Sequence, residues 1–464
     1  MANNIVDFVS PTETLVPATS KVTLAGNYLN FHNGSAGWAQ QYLPELYESE
    51  VERYGNRSLS SFLRLVSAEM PMTSDQVIWS EQGRLHLSYT GTVTTAASNT
   101  IAVADHSMRV GQTVVVKLAS GAIIKCLVSV VGAGTATILP YEDASLATAG
   151  AANGGAITLF VFGSEFKKGT NGMNESVQPE FETYSNKPII LKDKFEVSGS
   201  DAAQIGWVEV SGEAGQSGYL WYMKAEGDTR TRFEDYLEMS CVEAVKNSTG
   251  AATVDGTEGL FAAIEDRGIV GDGFGAAGIT DSGDFTTAID NLLTELDKQG
   301  AIEENMMFLN RAASLAIDNG LSYMNSYGAG GTSYGVFENN QDMALNLGFT
   351  GFRRGSYDFY KSDWKYLNDQ STRGAIGGVE GILVPAGTSS VYDQIMGKNV
   401  RRPFLHVRYR ASEADNRRMK SWVVGSVGAS NSDLDAMQIH YLSERCLVTQ
   451  AANNFVLFTG NDLG

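Results

Sequence analysis

The run FEDYLEMSCVEAV (residues 233–245) sets Phe233, Tyr236, Leu237, Cys241, Ala244 and Val245 at i, i+3, i+4, i+8, i+11 and i+12. That is the spacing of one apolar stripe on an α-helix. Thr229, Arg230, Thr231 and Arg232 lead into it and Asn247-Ser248-Thr249-Gly250 ends it, so the pattern predicts a helix within 217–247. A helix of about 30 residues reaches roughly 45 Å, longer than one compact domain needs. It reads as a girder onto which other elements are laid.

Upstream, residues 165–205 are polar and mixed in charge, with Asn171-Gly172 as a turn signal. Phe181 to Tyr184 and Ile189 to Leu191 read as the two limbs of a long hairpin with little core of its own. Further upstream, 85–164 is rich in Val, Thr, Ala, Ile and Gly and poor in charge. Its short alternating runs are punctuated by Gly111-Gln112, Ser120-Gly121 and Gly132 to Gly134, the pattern of a small β-barrel or sandwich inserted into the chain. Residues 1–36 read as an extended polar arm, and 37–67 as two short helices broken near Tyr54-Gly55-Asn56.

Downstream, two more helices are expected within 284–319. The first buries Phe285, Ala288, Ile289, Leu292, Leu293 and Leu296. The second carries Met306, Met307, Leu309, Ala313 and Ile317 and ends at Asn319-Gly320. A Gly- and Asn-rich surface loop follows to about 357. Strands are expected at Gly381 to Pro385 and Phe404 to Tyr409, and Gln438 to Val448 is expected to pair with Asn454 to Phe458. The class is therefore α+β.

Composition narrows the function. The 464 residues suffice for two or three cores, and the net charge of −19 disfavours sequence-specific binding to nucleic acid phosphates. Cys126, Cys241 and Cys446 are odd in number and far apart, which argues against a disulfide framework or zinc site and for a reducing compartment. Neither a signal-peptide pattern nor an apolar run of about 18 residues is present, so no membrane is expected.

Motifs for catalysis are weak. Gly273-Phe274-Gly275-Ala276-Ala277-Gly278 fits GxGxxG, but no strand-turn-helix context surrounds it, so it reads as a loop. The five histidines lack metal-ligand spacing, and no GxSxG elbow occurs. No catalytic, cofactor or metal residue is assigned. The one dense charge cluster is Arg401, Arg402, Arg408, Arg410, Arg417, Arg418 and Lys420, opposed within that stretch only by Glu413 and Asp415. On an acidic chain its first reading is pairing between subunits, with packaged DNA or a salt-bridged face inside the subunit as the others.

The order of arm, short helices, hairpin, girder helix, mixed α/β region and terminal strands resembles the HK97-like major capsid proteins of tailed bacteriophages. Gly256-Thr257-Glu258-Gly259-Leu260, Phe404 to Arg410, Ile439 to Val448 and Asn454 to Phe458 carry the resemblance and look like the crAss-like and related phages. The resemblance implies an N-terminal arm over 1–67 and an extended loop, or E-loop, over 68–84 and 165–205. It implies an inserted β domain over 85–164, a peripheral domain with a long spine helix over 206–259 and 421–464, and an axial domain over 260–420. It further implies no enzyme activity and self-assembly into hexamers and pentamers of an icosahedral head, built in the bacterial cytoplasm. Its expected partners are a separate scaffold, a portal, auxiliary or decoration proteins, and double-stranded DNA held weakly. Lys167 and Lys168 in the E-loop, with Arg401, Arg402, Arg408, Arg410, Arg417 and Arg418, become candidate inter-subunit contacts. The rival readings are a decoration or tail subunit, and a hydrolase with a β insertion.

Overall fold

The computed structural model describes residues 68–83, 86, 88–174, 176, 181–200, 210–211, 217–218, 220–247, 250–275, 282–300, 302–324, 351–393, 398–426 and 431–460. The expected arm and its two short helices, and most of the loop expected after 320, lie outside these residues. Residues 79–184 form one compact unit, and the other described residues form a second.

After β1 (Ala68–Met72) and β2 (Val77–Gln82), six strands follow: β3 (Ser88–Thr95), β4 (Thr100–Ala102), β5 (Gln112–Leu118), β6 (Ile123–Gly132), β7 (Thr135–Pro140) and β8 (Ala156–Ser164). They close into an antiparallel barrel in the order β3-β4-β7-β6-β5-β8. Closure leaves no strand edge unpaired. Alternation supplies the core: β8 buries Ile157 and Leu159 and turns Thr158 and Phe160 outward. Val93, Ile101, Val114, Val116, Cys126, Val128 and Ile138 complete an apolar core. Of the two forms expected for this stretch, the closed barrel is the one present. β9 (Phe181–Asn186) then returns to pair with β2 as a two-stranded ribbon.

In the second unit, β10 (Ile189–Ser198) and the short pair β11 (Val210–Ser211) and β12 (Ser217–Gly218) precede α1 (Leu220–Glu243). α1 has 24 residues, so it spans roughly 36 Å. It is shorter than the 217–247 window because the chain beyond Glu243 turns back, with the Gly259 N–H donating to the Ala244 carbonyl at 2.7 Å. Phe233, Leu237, Cys241 and Val242 are buried, whereas Tyr236 and Val245 are exposed.

Next come α2 (Leu260–Arg267), β13 (Ile269–Asp272), α3 (Ser282–Lys298), β14 (Glu304–Leu309), α4 (Arg311–Met324), β15 (Gly351–Arg354), β16 (Tyr357–Asp363) and α5 (Lys365–Asn368). The chain ends with β17 (Val379–Pro385), β18 (Thr388–Asp393), β19 (Lys398–Pro403), β20 (Leu405–Arg410), β21 (Lys420–Gly425), β22 (Ala436–Thr449) and β23 (Val456–Thr459). A mixed six-stranded sheet runs β13-β23-β17-β14-β16-β15. One face packs Met307, Leu309, Leu383, Val456 and Phe458 against α3 and α4. The other buries Phe308, Ile382, Val384 and Leu457 with α2, Trp364 and Phe455. A mostly antiparallel sheet runs β1-β20-β22-β10, with β21 also on β22, and α1 covers part of it through Phe233 and Leu237 on Ile439 and Tyr441. β18 and β19 form a hairpin of their own.

Four expectations are corrected here. Met306 to Leu309 is strand, not helix, because β16 and β17 flank it and both of its faces are buried. The following helix starts at Arg311, where Asn310 Oδ1 accepts the Ala313 N–H at 2.8 Å. That helix does not stop at Asn319-Gly320 either. It passes through Gly320, where a Cβ would lie 2.5 Å from the Phe285 ring, so the glycine serves close packing of α4 on α3. The limbs at 181–184 and 189–191 do not pair, since β9 joins β2 while β10 runs along β22 from Ile189 opposite Arg445 to Ser198 opposite Ala436. Pro188 between them has no N–H to give to a hairpin ladder. Finally, β22 and β23 belong to different sheets, separated by Ala451 in the left-handed region and a turn at Ala452–Asn454.

Candidate functional site

The arginine cluster lies where β20, the loop to β21, β22 and the start of the described chain come together. Tight backbone bonds hold the loop: Ser412 N–H donates to Asp415 O at 2.8 Å and Arg417 N–H to Arg410 O at 2.9 Å. Glu444 on β22 is buried and bridges two arginines, with Arg410 Nη1 on one carboxylate oxygen at 3.2 Å and Arg417 Nη1 on the other at 2.7 Å. Arg410 also meets Asp75, and Arg418 meets Glu69 on β1. Arg445 approaches the second oxygen of Glu69 at 3.5 Å and donates to the Arg418 carbonyl at 2.8 Å. Lys420 Nζ and Arg417 Nε reach Asp415 at 2.8 and 3.5 Å. Arg418 also stacks over the Tyr409 ring, 5.9 Å from its centre.

The electrostatics follow from this geometry. The hydrogen bond from Lys420, reinforced by Arg417, holds the Asp415 carboxyl below its ordinary range. The hydrogen bond to Glu444 raises Arg417 further above its ordinary value. Five cations meet four carboxylates, Glu69, Asp75, Asp415 and Glu444, so the cluster is close to neutral. Its effect is to clamp 68–75 onto the sheet. An open cleft of about 440 Å³ beside it is lined by Thr73, Asp75, Arg410, Ala411, Ser412, Asp415, Arg417 and Glu444. The lining contains no histidine or cysteine, and the Ser412 hydroxyl accepts the N–H groups of Ala414 and Asp415, each at 3.3 Å.

The other candidates are dispersed. Arg408 sits opposite Cys446, whose thiol burial pushes up to about 12. Arg401 and Arg402 are on β19, opposite Ser390 and Ser389. Lys167 and Lys168 are exposed on a turn where the Thr170 hydroxyl donates to the Lys167 carbonyl at 2.7 Å. Cys126 and Cys241 are likewise buried, and burial pushes their thiols up to about 12 and 11. Among the described residues no cluster could hold a metal ion. Contrary to the expectation from sequence, a strand (β13) directly precedes the GxGxxG stretch and a helix (α3) starts at Ser282. The described part of the stretch nonetheless wraps the buried Glu380 carboxylate, to which Gly275 N–H donates at 2.8 Å. A Cβ on Gly273 would collide with the same carboxylate. The glycines thus make room for an acidic side chain of their own chain.

Sequence reasoning missed Asn186, which is almost wholly buried and ties three segments together. Its Nδ2 donates to the carbonyls of Glu258 and Leu447 at 3.0 and 2.7 Å. Its Oδ1 accepts from the Thr257 hydroxyl at 3.0 Å and the Glu258 N–H at 2.9 Å. The quoted stretch 256–260 is therefore a joint, and Glu258 adds ion pairs to Arg267 and Lys246, both at 3.0 Å. The available signal was an asparagine two residues before Pro188, a turn that needed an inward anchor.

No protein-family model matches the chain, and no curated relative does. Among solved structures it is similar to the capsid of the cyanophage P-SCSP1u, at 7% identity and a TM-score of 0.42, covering 90% of this chain and 93% of the other. A structure from Gordonia phage Cozz is similar at 11% identity and a TM-score of 0.43, covering 96% and 98%. The mature capsid of bacteriophage PhiM1 is similar at 9% identity and a TM-score of 0.40, covering 96% and 100%. These TM-scores are all below 0.5, so the functional reading rests on the chain's own residues.

Proposed function

We propose that this chain is the major capsid protein of a tailed bacteriophage, a subunit that assembles with copies of itself into a closed icosahedral head around double-stranded DNA. One observation carries the reading. The β2–β9 ribbon and the β18–β19 hairpin are two-stranded sheets joined to no larger sheet among the described residues. Isolated two-stranded sheets are marginal in water, so burial against other molecules is what would offset the cost of ordering them. The element order of the HK97-like resemblance fits that need, with α1 as the spine helix and the β2–β9 ribbon within the E-loop. The remaining assignments belong to the same proposal: arm 1–67, inserted domain 85–164, peripheral domain 206–259 with 421–464, and axial domain 260–420.

In this reading hexamers and pentamers close the lattice through heterologous contacts. Scaffold, portal and auxiliary proteins act on it from outside the chain. Lys167, Lys168, Arg401, Arg402 and Arg408 are the proposed contacts to neighbours. Arg410, Arg417 and Arg418, already engaged by carboxylates of their own chain, act one step removed by fixing the strand that leads back to the arm. Electron microscopy of the purified full chain tests the proposal. Closed particles or rings of five and six are expected, and a monodisperse monomer at every concentration would overturn it. Deleting 165–200 is not a clean test, because it also removes β10 from its sheet.

A further inference from the structure

Eight of the exposed large hydrophobic residues fall between Val110 and Phe166, and the exposed phenylalanines among the described residues, Phe160, Phe162 and Phe166, all lie there. Strand register gathers part of this set on one wall. Phe160 is opposite Val115, Val115 opposite Lys125, and Tyr141 N–H donates to the Lys125 carbonyl, so these residues form a row across β8, β5, β6 and the end of β7. Two residues along, Lys117 stands opposite Ile123 on the same face. Ile123 is 68% exposed and Phe160 48%. A barrel closed around a full core gains nothing from these side chains, and a wall of this kind marks a contact surface.

Charge selects the partner. Strands β5 to β8 carry two lysines, Lys117 and Lys125, and no carboxylate. Over 88–164, Arg109, Lys117 and Lys125 balance Asp105, Glu142 and Asp143, so the net charge of −19 is carried by the rest of the chain. An apolar wall with lysines at its centre therefore complements the acidic remainder of the same protein. We propose that this outer barrel wall docks against the acidic surface of a second copy of the chain. The contact is heterologous, wall to body, and does not require the shell reading. Aromatic and lysine side chains on a small barrel also suit single-stranded nucleic acid. Two lysines neutralise few phosphates, and the charge of the whole chain opposes that partner.

The test uses the full chain, mixed from unlabelled and ¹⁵N-labelled preparations and treated with a zero-length carbodiimide. Mass spectrometry is expected to find Lys117 or Lys125 of one isotopic form joined to an Asp or Glu outside 88–164 of the other. Sedimentation equilibrium is expected to show association weakened about tenfold or more by Phe160→Ser, and comparably by Lys117→Glu with Lys125→Glu. Added salt should weaken the wild-type contact and leave the charge-reversed variant little changed. Cys126, buried inside the barrel, reports on folding: if its thiol stays unreactive, a loss of association is not a loss of fold. Mixed-isotope cross-links confined to other lysines would overturn the proposal, as would unchanged association in both variants. So would an oligothymidine probe that binds the wild type and is lost with Phe160→Ser, since the wall would then serve nucleic acid. Uptake of a different protein with no self-association would overturn it too. Lys125 cross-links without closed particles would leave this contact standing while the shell reading fails, and closed particles without them would do the reverse.

Discussion

The barrel and the five-stranded sheet are both built mainly of antiparallel strands, yet they are brought together differently. Every pairing in the barrel lies within 88–164, closure removes its edges, and its core is mainly apolar. The sheet joins residues far apart in the chain, such as Ala68 with His406 and Ile189 with Arg445, and it is laced by ion pairs to Glu69, Asp75, Asp415 and Glu444. The barrel's stability is therefore local and hydrophobic. The sheet buries apolar side chains too, among them Leu405, Val407, Ile439, Tyr441 and Leu447, but it depends in addition on long loops closing and on each buried charge keeping its partner.

The sharpest way to break this comparison is to hollow the barrel. Ile138 is fully buried there, and Ile138→Ala should cost the barrel about 2–5 kcal/mol through lost burial and the cavity left behind. Calorimetry should show one transition moving to lower temperature and another staying in place, and the Cys126 thiol should become reactive at the lower temperature. If the whole molecule shifts as one, the barrel is not energetically separate.

The same contrast explains what could be read from the chain. The barrel was legible because alternation over a few residues, as in Ile157 and Leu159 buried between Thr158 and Phe160, already says which way each side chain turns. α1 and α3 were legible for the same local reason at a period of 3.6. Met306-Met307-Phe308-Leu309 has no period, because both faces are buried, so only its neighbours β16 and β17 make it a strand. β10 looked like half of a hairpin because its true partner, β22, lies more than 200 residues away. Within 401–420 only Glu413 and Asp415 oppose the arginine cluster. Glu69 and Asp75 come from the far end of the chain and Glu444 from the next strand.

The clamp supplies a second, smaller test. Glu444→Gln keeps the shape and removes the charge shared by Arg410 and Arg417. Hydrogen bonds to charged groups contribute about 1.5–3 kcal/mol. Both arginines are partly exposed, and solvent takes up some of the loss, so about 1–2 kcal/mol is expected in denaturant unfolding of the unit holding the sheet. Hydrogen exchange at 68–72 should quicken, because Arg410 then holds Asp75 alone, while the barrel amides stay as protected as before. Equal loosening of both regions would mean that the ion pairs are not what distinguishes them.

Acid gives the gentlest test. Asp415 has its folded pKa lowered, first by the hydrogen bond from Lys420. A depressed carboxylate contributes stability in full above its unfolded pKa and loses it as pH falls through the lower folded value. The unfolded value is 3.8, so the contribution of Asp415 is complete near neutrality and fades only below that point. Arg417, raised further above its ordinary value by the hydrogen bond to Glu444, contributes fully across the same range and weakens only in strong alkali. As pH falls below 3.8, protection against exchange, measured relative to the intrinsic rate at each pH, should be lost first in the loop 411–418, where Asp415 meets Lys420 and Arg417. Added salt at neutral pH should shift the same amides in the same direction, since both treatments weaken the same charges. An acid response that began instead in the barrel would place the charge-dependent part of this molecule in the wrong unit, and the clamp would then be a by-product of packing between β20 and β22.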